Sequence, residues 1–146
     1  MNSFFLNIIV VASFSGLFHS CLNDETDTES PNIILHTPIE EQMFKTGESI
    51  PIHILFSDNV GVASYKIEIH IEDDGHTHKS AELVEWFYSV SHEILNSPKS
   101  YELTDEIYIP IEINGKLIEK GHYHFGVYVL DSSGNEQQTS IEIEIE

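Results

Sequence analysis

The sequence contains no arginine and only six lysines against 25 acidic residues, which gives a formal net charge of −19. Contacts with nucleic-acid phosphates need Lys or Arg, and an anionic membrane surface repels a chain of this charge. The charge therefore argues against a nucleic-acid partner, and membrane contact has to come from another feature. An acidic surface instead raises the local concentration of cations.

The chain has a single cysteine, Cys21, so it cannot form an internal disulfide bond. No charged residue precedes Cys21, and Phe4–Phe18 is mostly apolar. A membrane-spanning helix needs about 20 apolar residues, so this run has the length of a signal-peptide core instead. We predict a signal peptide over residues 1–20 and lipid attachment at Cys21, with simple secretion as the alternative.

The residues around Cys21 resemble a bacterial lipoprotein signal. Leu17–Cys21 is similar to a lipoprotein box, with Ser20 as the small residue before the cysteine. The polar, acidic stretch 21–31 has the composition of a flexible tether. Acidic residues close behind the cysteine also resemble the surface-export signal of Bacteroidetes-type lipoproteins. The resemblance implies a lipid-anchored protein of the cell envelope, in the outer membrane and facing the cell surface.

Motifs of common enzyme classes are missing. There is no Gly-x-Ser-x-Gly elbow, no glycine-rich phosphate loop and no His-Glu-x-x-His helix. Carboxylates are so abundant that no pair stands out as a general acid and base. We therefore expect a protein that is not an enzyme.

The dominant pattern in the sequence is an alternation of apolar and polar residues with period two, which is typical of half-buried strands. Five segments show it, beginning near Ser49, Tyr65, Ile107, His122 and Ile141, and an earlier strand is expected at Asn32–His36. Turn residues such as Asn114-Gly115 fall between them. The pattern predicts an all-β, antiparallel sandwich of about seven strands.

Residues 73–103 interrupt this alternation and form a long insertion after the third strand. Trp86, Phe87 and Tyr88 lie within it. Three adjacent aromatic side chains on a surface would make a large apolar patch, so we expect them to be packed. The insertion is either another strand or a packed excursion over one sheet edge.

Two stretches of the chain resemble a bacterial immunoglobulin-like domain. They are PNIILHTPIEEQMFKTGESIPIHILFSDNVGVASYKIEI and GHYHFGVYVLDSSGN, which correspond to the first half and the last long hairpin of that fold. The leader together with GHTH and GHYHF resembles, more narrowly, an uncharacterised Bacteroidetes-type lipoprotein family. The resemblance implies an immunoglobulin-like β-sandwich over residues 32–146 and supplies no activity, because fold alone does not define function.

Histidine is abundant, with nine residues in the chain. His122 and His124 occupy alternate positions on one predicted strand, so their side chains share the face away from the core, about 6.5–7 Å apart. His76 and His78 follow the third strand, and His70 lies on the outward face near its end. The resemblance makes the third and sixth strands antiparallel neighbours, which brings these five histidines to one end of one sheet.

Clustered imidazoles are good ligands for zinc and copper. We therefore predict a transition-metal site built from His70, His76, His78, His122 and His124. His36, His53 and His92 have no partner at ligand spacing in the sequence, and we interpret them as structural or surface residues.

Two alternatives stay open. The histidines are incidental if the domain is a non-enzymatic adhesion or accessory module that binds an envelope protein or a glycan. A calcium site at Asp58-Asn59 and Asp131–Asn135 ranks below the histidine site, since such sequences are more often turns.

Overall fold

The computed structural model describes residues 26–71 and 82–146, and these residues form strands and loops without a helix. Eleven strands follow in chain order: β1 (Asn32–Thr37), β2 (Gln42–Phe44), β3 (Ser49–Ser57), β4 (Val62–Ile71), β5 (Leu83–Val84), β6 (Phe87–Glu93), β7 (Ser100–Tyr108), β8 (Glu112–Ile113), β9 (Lys116–Ile118), β10 (Gly121–Asp131) and β11 (Glu136–Ile145).

Two sheets make up the body of the domain. One has the strand order β1-β3-β7, and the other has the order β2-β11-β10-β4-β6. All pairings in them are antiparallel except that of the short β2 with β11. This is an immunoglobulin-like β-sandwich, as predicted, and a small accessory sheet of order β5-β9-β8 is added to it.

The core lies between the two sheets and is built from the alternating apolar positions of the sequence. On β3, Ile50, Ile52, Ile54 and Phe56 are at most 1% exposed. The facing sheet contributes buried residues from β4, β10 and β11: Tyr65, Ile67, Ile69, Tyr123, Phe125, Val127, Val129, Ile143 and Ile145. Burying β-branched and aromatic side chains on one face of each strand fixes the register, because a slip of one residue would expose them all.

A buried tyrosine locks the beginning of β10. The Tyr123 hydroxyl donates a 2.6 Å hydrogen bond to the carbonyl of Glu119, four residues earlier. The Trp86 ring packs against it with the two ring centroids 6.0 Å apart. This is the tyrosine corner of immunoglobulin-like domains. It fixes the backbone of β10 between His122 and His124, the two neighbours of Tyr123.

One predicted strand is corrected, and one of the two alternatives for the insertion is found. The strand expected to begin at Ile107 instead begins at Ser100, within the predicted insertion, and ends at Tyr108, and Ile111, expected to continue its alternation, is 51% exposed. Pro110 lacks a backbone N–H and cannot continue the ladder, so the chain leaves the sheet there. Within the long insertion, β6 is a further strand that pairs with β4 along its length.

Candidate functional site

A row of polar side chains crosses the outer face of the larger sheet. His70 on β4 is the direct partner of His124 on β10, and His124 is in turn the partner of Glu142 on β11. The two imidazole rings are 5.5 Å apart between centroids and inclined by 41°. The structure therefore brings together two of the five predicted ligands across a strand pair. β4 and β10 correspond to the strands predicted as third and sixth, which were expected to be neighbours.

His122 extends this row towards the start of β10. It lies on the same face as His124, and its Nδ1 is 2.6 Å from Oε1 of Glu142. The Nδ1 atom of His70 is 3.7 Å from Oε1 of Glu68, is shielded from solvent, and has no hydrogen-bond partner among the described residues. A carboxylate beside Nδ1 is the arrangement that orients a metal-binding imidazole and leaves Nε2 for the metal.

The described side chains of the row do not converge on one point that a single ion could occupy. Within residues 26–71 and 82–146, no three ligand atoms of the row lie within 4.8 Å of one another. His76 and His78, the other two predicted ligands, lie outside the described residues, as does Cys21. His70, His122 and His124 thus form an open, three-histidine surface.

A second histidine pair lies on the outer face of the other sheet and was missed in the sequence. The rings of His36 and His53 stack with centroids 4.6 Å apart, and Nε2 of His53 is 2.8 Å from Oε1 of Glu102. Their spacing in the sequence does not reveal this contact, and their assignment as structural or surface residues stays an interpretation. They are 17 residues apart, and only the pairing of β1 with β3 brings them together.

Three aspartates converge at the opposite end of the sandwich. One carboxylate oxygen each from Asp27, Asp58 and Asp131 lies within 4.8 Å of the others. Asp58 and Asp131 come from the two turns that the sequence offered as oxygen ligands. Asp27 comes from the acidic stretch before β1, and no local pattern in the sequence connects it with them.

The aromatic residues of the insertion do not form one patch. Trp86 is 5% exposed, and Tyr88 packs partly against the core, whereas Phe87 is 62% exposed. Alternation on β6 explains the difference, since Phe87 points away from the core. Phe87 pairs with His70 in register, so it lies at the end of the histidine row.

No helix capable of crossing a membrane occurs in the part of the chain that the structure describes.

The topology and the tyrosine corner define an immunoglobulin-like domain, and this domain displays polar side chains on the outer face of its larger sheet. The chain belongs to the family described as domain of unknown function DUF4625, whose model matches residues 19–146. No curated protein matches the chain.

Solved structures resemble the fold at low sequence identity. The fibronectin(III)-like modules of CbhA from Clostridium thermocellum are 15% identical with a TM-score of 0.44, over 80% of this chain and 47% of theirs. A β-glucosidase from Listeria innocua, in complex with glucose, is 17% identical with a TM-score of 0.36, over 77% of this chain and 16% of its own. The chain thus spans less than half the length of these structures, and the similarity concerns the fold alone.

Proposed function

We propose that this protein is a lipoprotein of the cell envelope, anchored at Cys21, whose immunoglobulin-like domain binds zinc or copper through its histidine cluster. The observation that carries the proposal is the cross-strand pair of His70 and His124. Imidazole nitrogens bind zinc at about 2.0–2.1 Å, and two ligands held on adjacent strands of a sheet need little reorganisation to share an ion.

The neighbouring carboxylates support this assignment. Glu142 accepts at Nδ1 of His122, and Glu68 lies beside Nδ1 of His70, so the Nε2 atoms of both rings remain for a metal. Carboxylates in these positions also raise the basicity of the ligand nitrogen. The two carboxylates also favour one orientation of the imidazole rings beside them.

The remaining ligands of the proposal come from the GHTH sequence. His76 and His78 follow His70 by six and eight residues in the sequence and lie outside the described residues. Four imidazoles then satisfy tetrahedral zinc, and three with an open position suit an exchangeable ion.

The experiment is a calorimetric titration of the full chain in detergent with zinc and copper(II), with calcium in excess to fill carboxylate sites. The test variant carries His122→Ala and His124→Ala. The control carries His36→Ala and His53→Ala, which removes the same number of imidazoles from the other sheet. We expect stoichiometric binding in the wild type and the control, and at least a tenfold weaker affinity in the test variant.

Equal loss in both variants would mean that the ion binds through general charge and would overturn the histidine site. Loss confined to the control would move the site to His36 and His53. The anchor is checked separately, since replacing Cys21 with serine should release the protein from the membrane fraction if the cysteine is acylated.

A surface-binding module is the second candidate function, and a groove on the larger sheet favours it. The groove has a volume of about 580 Å³ and is lined by residues that include Lys66, Tyr128 and Gln138. The Lys66 ammonium lies 5.2 Å from the centroid of the Tyr128 ring. An aromatic face ringed by polar groups suits a glycan or peptide of the envelope. Binding of envelope polysaccharide that Tyr128→Ala abolishes would support this function.

A further inference from the structure

We propose a second, separate cation site of the calcium type, formed by Asp27, Asp58 and Asp131, which fastens the acidic segment before β1 to the end of the sandwich. Its three carboxylates come from three distant parts of the chain: the segment before β1, the loop after β3 and the last residue of β10. Asp131 is 2% exposed, and the other two are half-buried.

Local hydrogen bonds hold two of these carboxylates in place. Asp131 Oδ1 accepts from the backbone N–H groups of Ser133 and Asn135, each at 2.8 Å, and Asp58 Oδ1 accepts from those of Val60 and Gly61. Burial alone raises the pKa of Asp131, but the hydrogen bonds outweigh burial and hold that pKa below its usual value. The turns therefore present negative charge towards the cluster.

One oxygen of the cluster is left without any partner. Asp58 Oδ2 exposes less than 1 Å² to solvent, and no group in residues 26–71 or 82–146 donates a hydrogen bond to it. A buried anionic oxygen without a donor is strongly unfavourable. The ion pairs formed by the described residues do not include any of the three aspartates, so no side-chain cation in residues 26–71 or 82–146 compensates them. A bound cation supplies the missing partner.

The donor set selects the type of cation. The ligands offered are carboxylate oxygens, and calcium takes six to eight oxygen ligands at about 2.3–2.6 Å. Two oxygens on opposite sides of one calcium ion are therefore about 4.6–5.2 Å apart, and the ligand oxygens of the three aspartates all lie within 4.8 Å of one another. The side-chain oxygens of Asn59 and Asn135, both adjacent to Asp27, are available to complete the shell after rotation of their amides.

Binding would have a mechanical consequence, because Asp27 belongs to the segment between Cys21 and the first strand. Without a cation, the described contacts of its carboxylate with the loops are hydrogen bonds from the Asn59 and Asn135 amides. A shared ion adds a direct link from Asp27 to Asp58 and Asp131. Calcium thereby strengthens the attachment of Asp27 to the two loops at this end of the sandwich.

The site is independent of the proposed histidine site. Asp131 follows His124 by seven residues on the same extended strand, which places the two about 23 Å apart. Failure of one proposal therefore leaves the other unaffected.

The test is a calcium titration of the full chain in detergent, by calorimetry and by thermal unfolding, against Asp58→Asn and the control Asp105→Asn. Asp58→Asn keeps Oδ1 as an acceptor for the turn but removes the charge and the unpartnered oxygen. We expect calcium to raise the melting temperature of the wild type and the control, with at least a tenfold weaker calcium affinity for Asp58→Asn. In EGTA, Asp58→Asn should lose less stability than Asp131→Asn, because relief of the charge repulsion offsets the weakening of the hydrogen bonds from Val60 and Gly61.

The fastening of the N-terminal segment is measured by hydrogen exchange. Calcium should slow exchange of the amides of residues 27–30 in the wild type and leave them unchanged in Asp27→Asn. Equal calcium affinities for Asp58→Asn and Asp105→Asn would show general attraction to an acidic surface and overturn the site. Specific binding without slower exchange at residues 27–30 would overturn the fastening.

Discussion

Replacing Tyr123 with phenylalanine tests the tyrosine corner that positions the histidine strand. The substitution keeps the ring, which is fully buried, and removes one 2.6 Å hydrogen bond to the carbonyl of Glu119. One such hydrogen bond contributes about 1 kcal/mol net. At neutral pH we therefore expect the free energy of unfolding to fall by about 1 kcal/mol, or the melting temperature by about 4 °C.

The same hydroxyl predicts how stability depends on alkaline pH. Burial raises the pKa of Tyr123 to about 12 from its ordinary value of 10.0. Because the folded-state pKa is the higher one, the full stability is present below pH 10 and is lost as the pH rises through 12. A difference of two units corresponds to about 2.7 kcal/mol. Tyr123→Phe has no such proton, so its disadvantage at neutral pH should shrink and then reverse above about pH 11.

The assay is urea unfolding of the full chain followed by tryptophan fluorescence, at several pH values between about 7 and 12. Tyr108→Phe is the matched control, because Tyr108 is 58% exposed and its hydroxyl makes no core contact. Parallel stability curves for wild type and Tyr123→Phe across this range would refute the burial of a protonated hydroxyl. A control that behaves like Tyr123→Phe would attribute the effect to tyrosine in general.

Two further substitutions test the turns at the other end of the sandwich. In Gly61→Ala, the new Cβ would lie 2.1 Å from the carbonyl oxygen of Ser97, so the backbone must shift; urea unfolding should show a loss of about 1–3 kcal/mol, and an unchanged stability would contradict the packing of this loop. In Asp131→Asn, measured in EGTA, we expect a loss of about 1–3 kcal/mol at neutral pH, since charged hydrogen bonds are lost. Because the pKa of Asp131 is lowered, the stability advantage of the wild type over Asp131→Asn should be complete above the ordinary pKa of 3.8 and should vanish as the pH falls through the lowered pKa of the folded state. A difference in stability that does not depend on pH would contradict this role.

The sequence predicted the fold well wherever a local repeat determines it. The alternation of Ile50, Ile52 and Ile54 is sufficient to assign both a strand and its buried face. The prediction that His70 and His124 lie on neighbouring strands succeeded for a related reason, since the order of strands in an immunoglobulin-like sheet is fixed once the fold is known. Binding of a metal by these residues stays a prediction.

Features that depend on contacts between distant segments were not predictable in the same way. His36 and His53 become neighbours because β1 pairs with β3 in the antiparallel register that joins Leu35 to Ile54, and no spacing in the sequence reveals it. Asp27 is one of many acidic residues in a stretch whose composition is that of a tether. Its proximity to Asp58 and Asp131 depends on where that stretch crosses the loops.

Strand β10 connects the two proposed cation sites and also keeps them chemically distinct. His122 and His124 are on its outer face near its beginning, whereas Asp131, an odd number of residues later, faces inward and is buried at its end. The beginning of the strand therefore offers exposed nitrogen ligands, which suit zinc and copper, and its end offers enclosed oxygen ligands, which suit calcium. If both proposals hold, zinc and calcium should bind without competition, because each ion meets the ligand type that it prefers at a different end of one rigid strand. A calcium affinity that falls in proportion to bound zinc would instead indicate that the acidic surface acts as one undifferentiated cation trap.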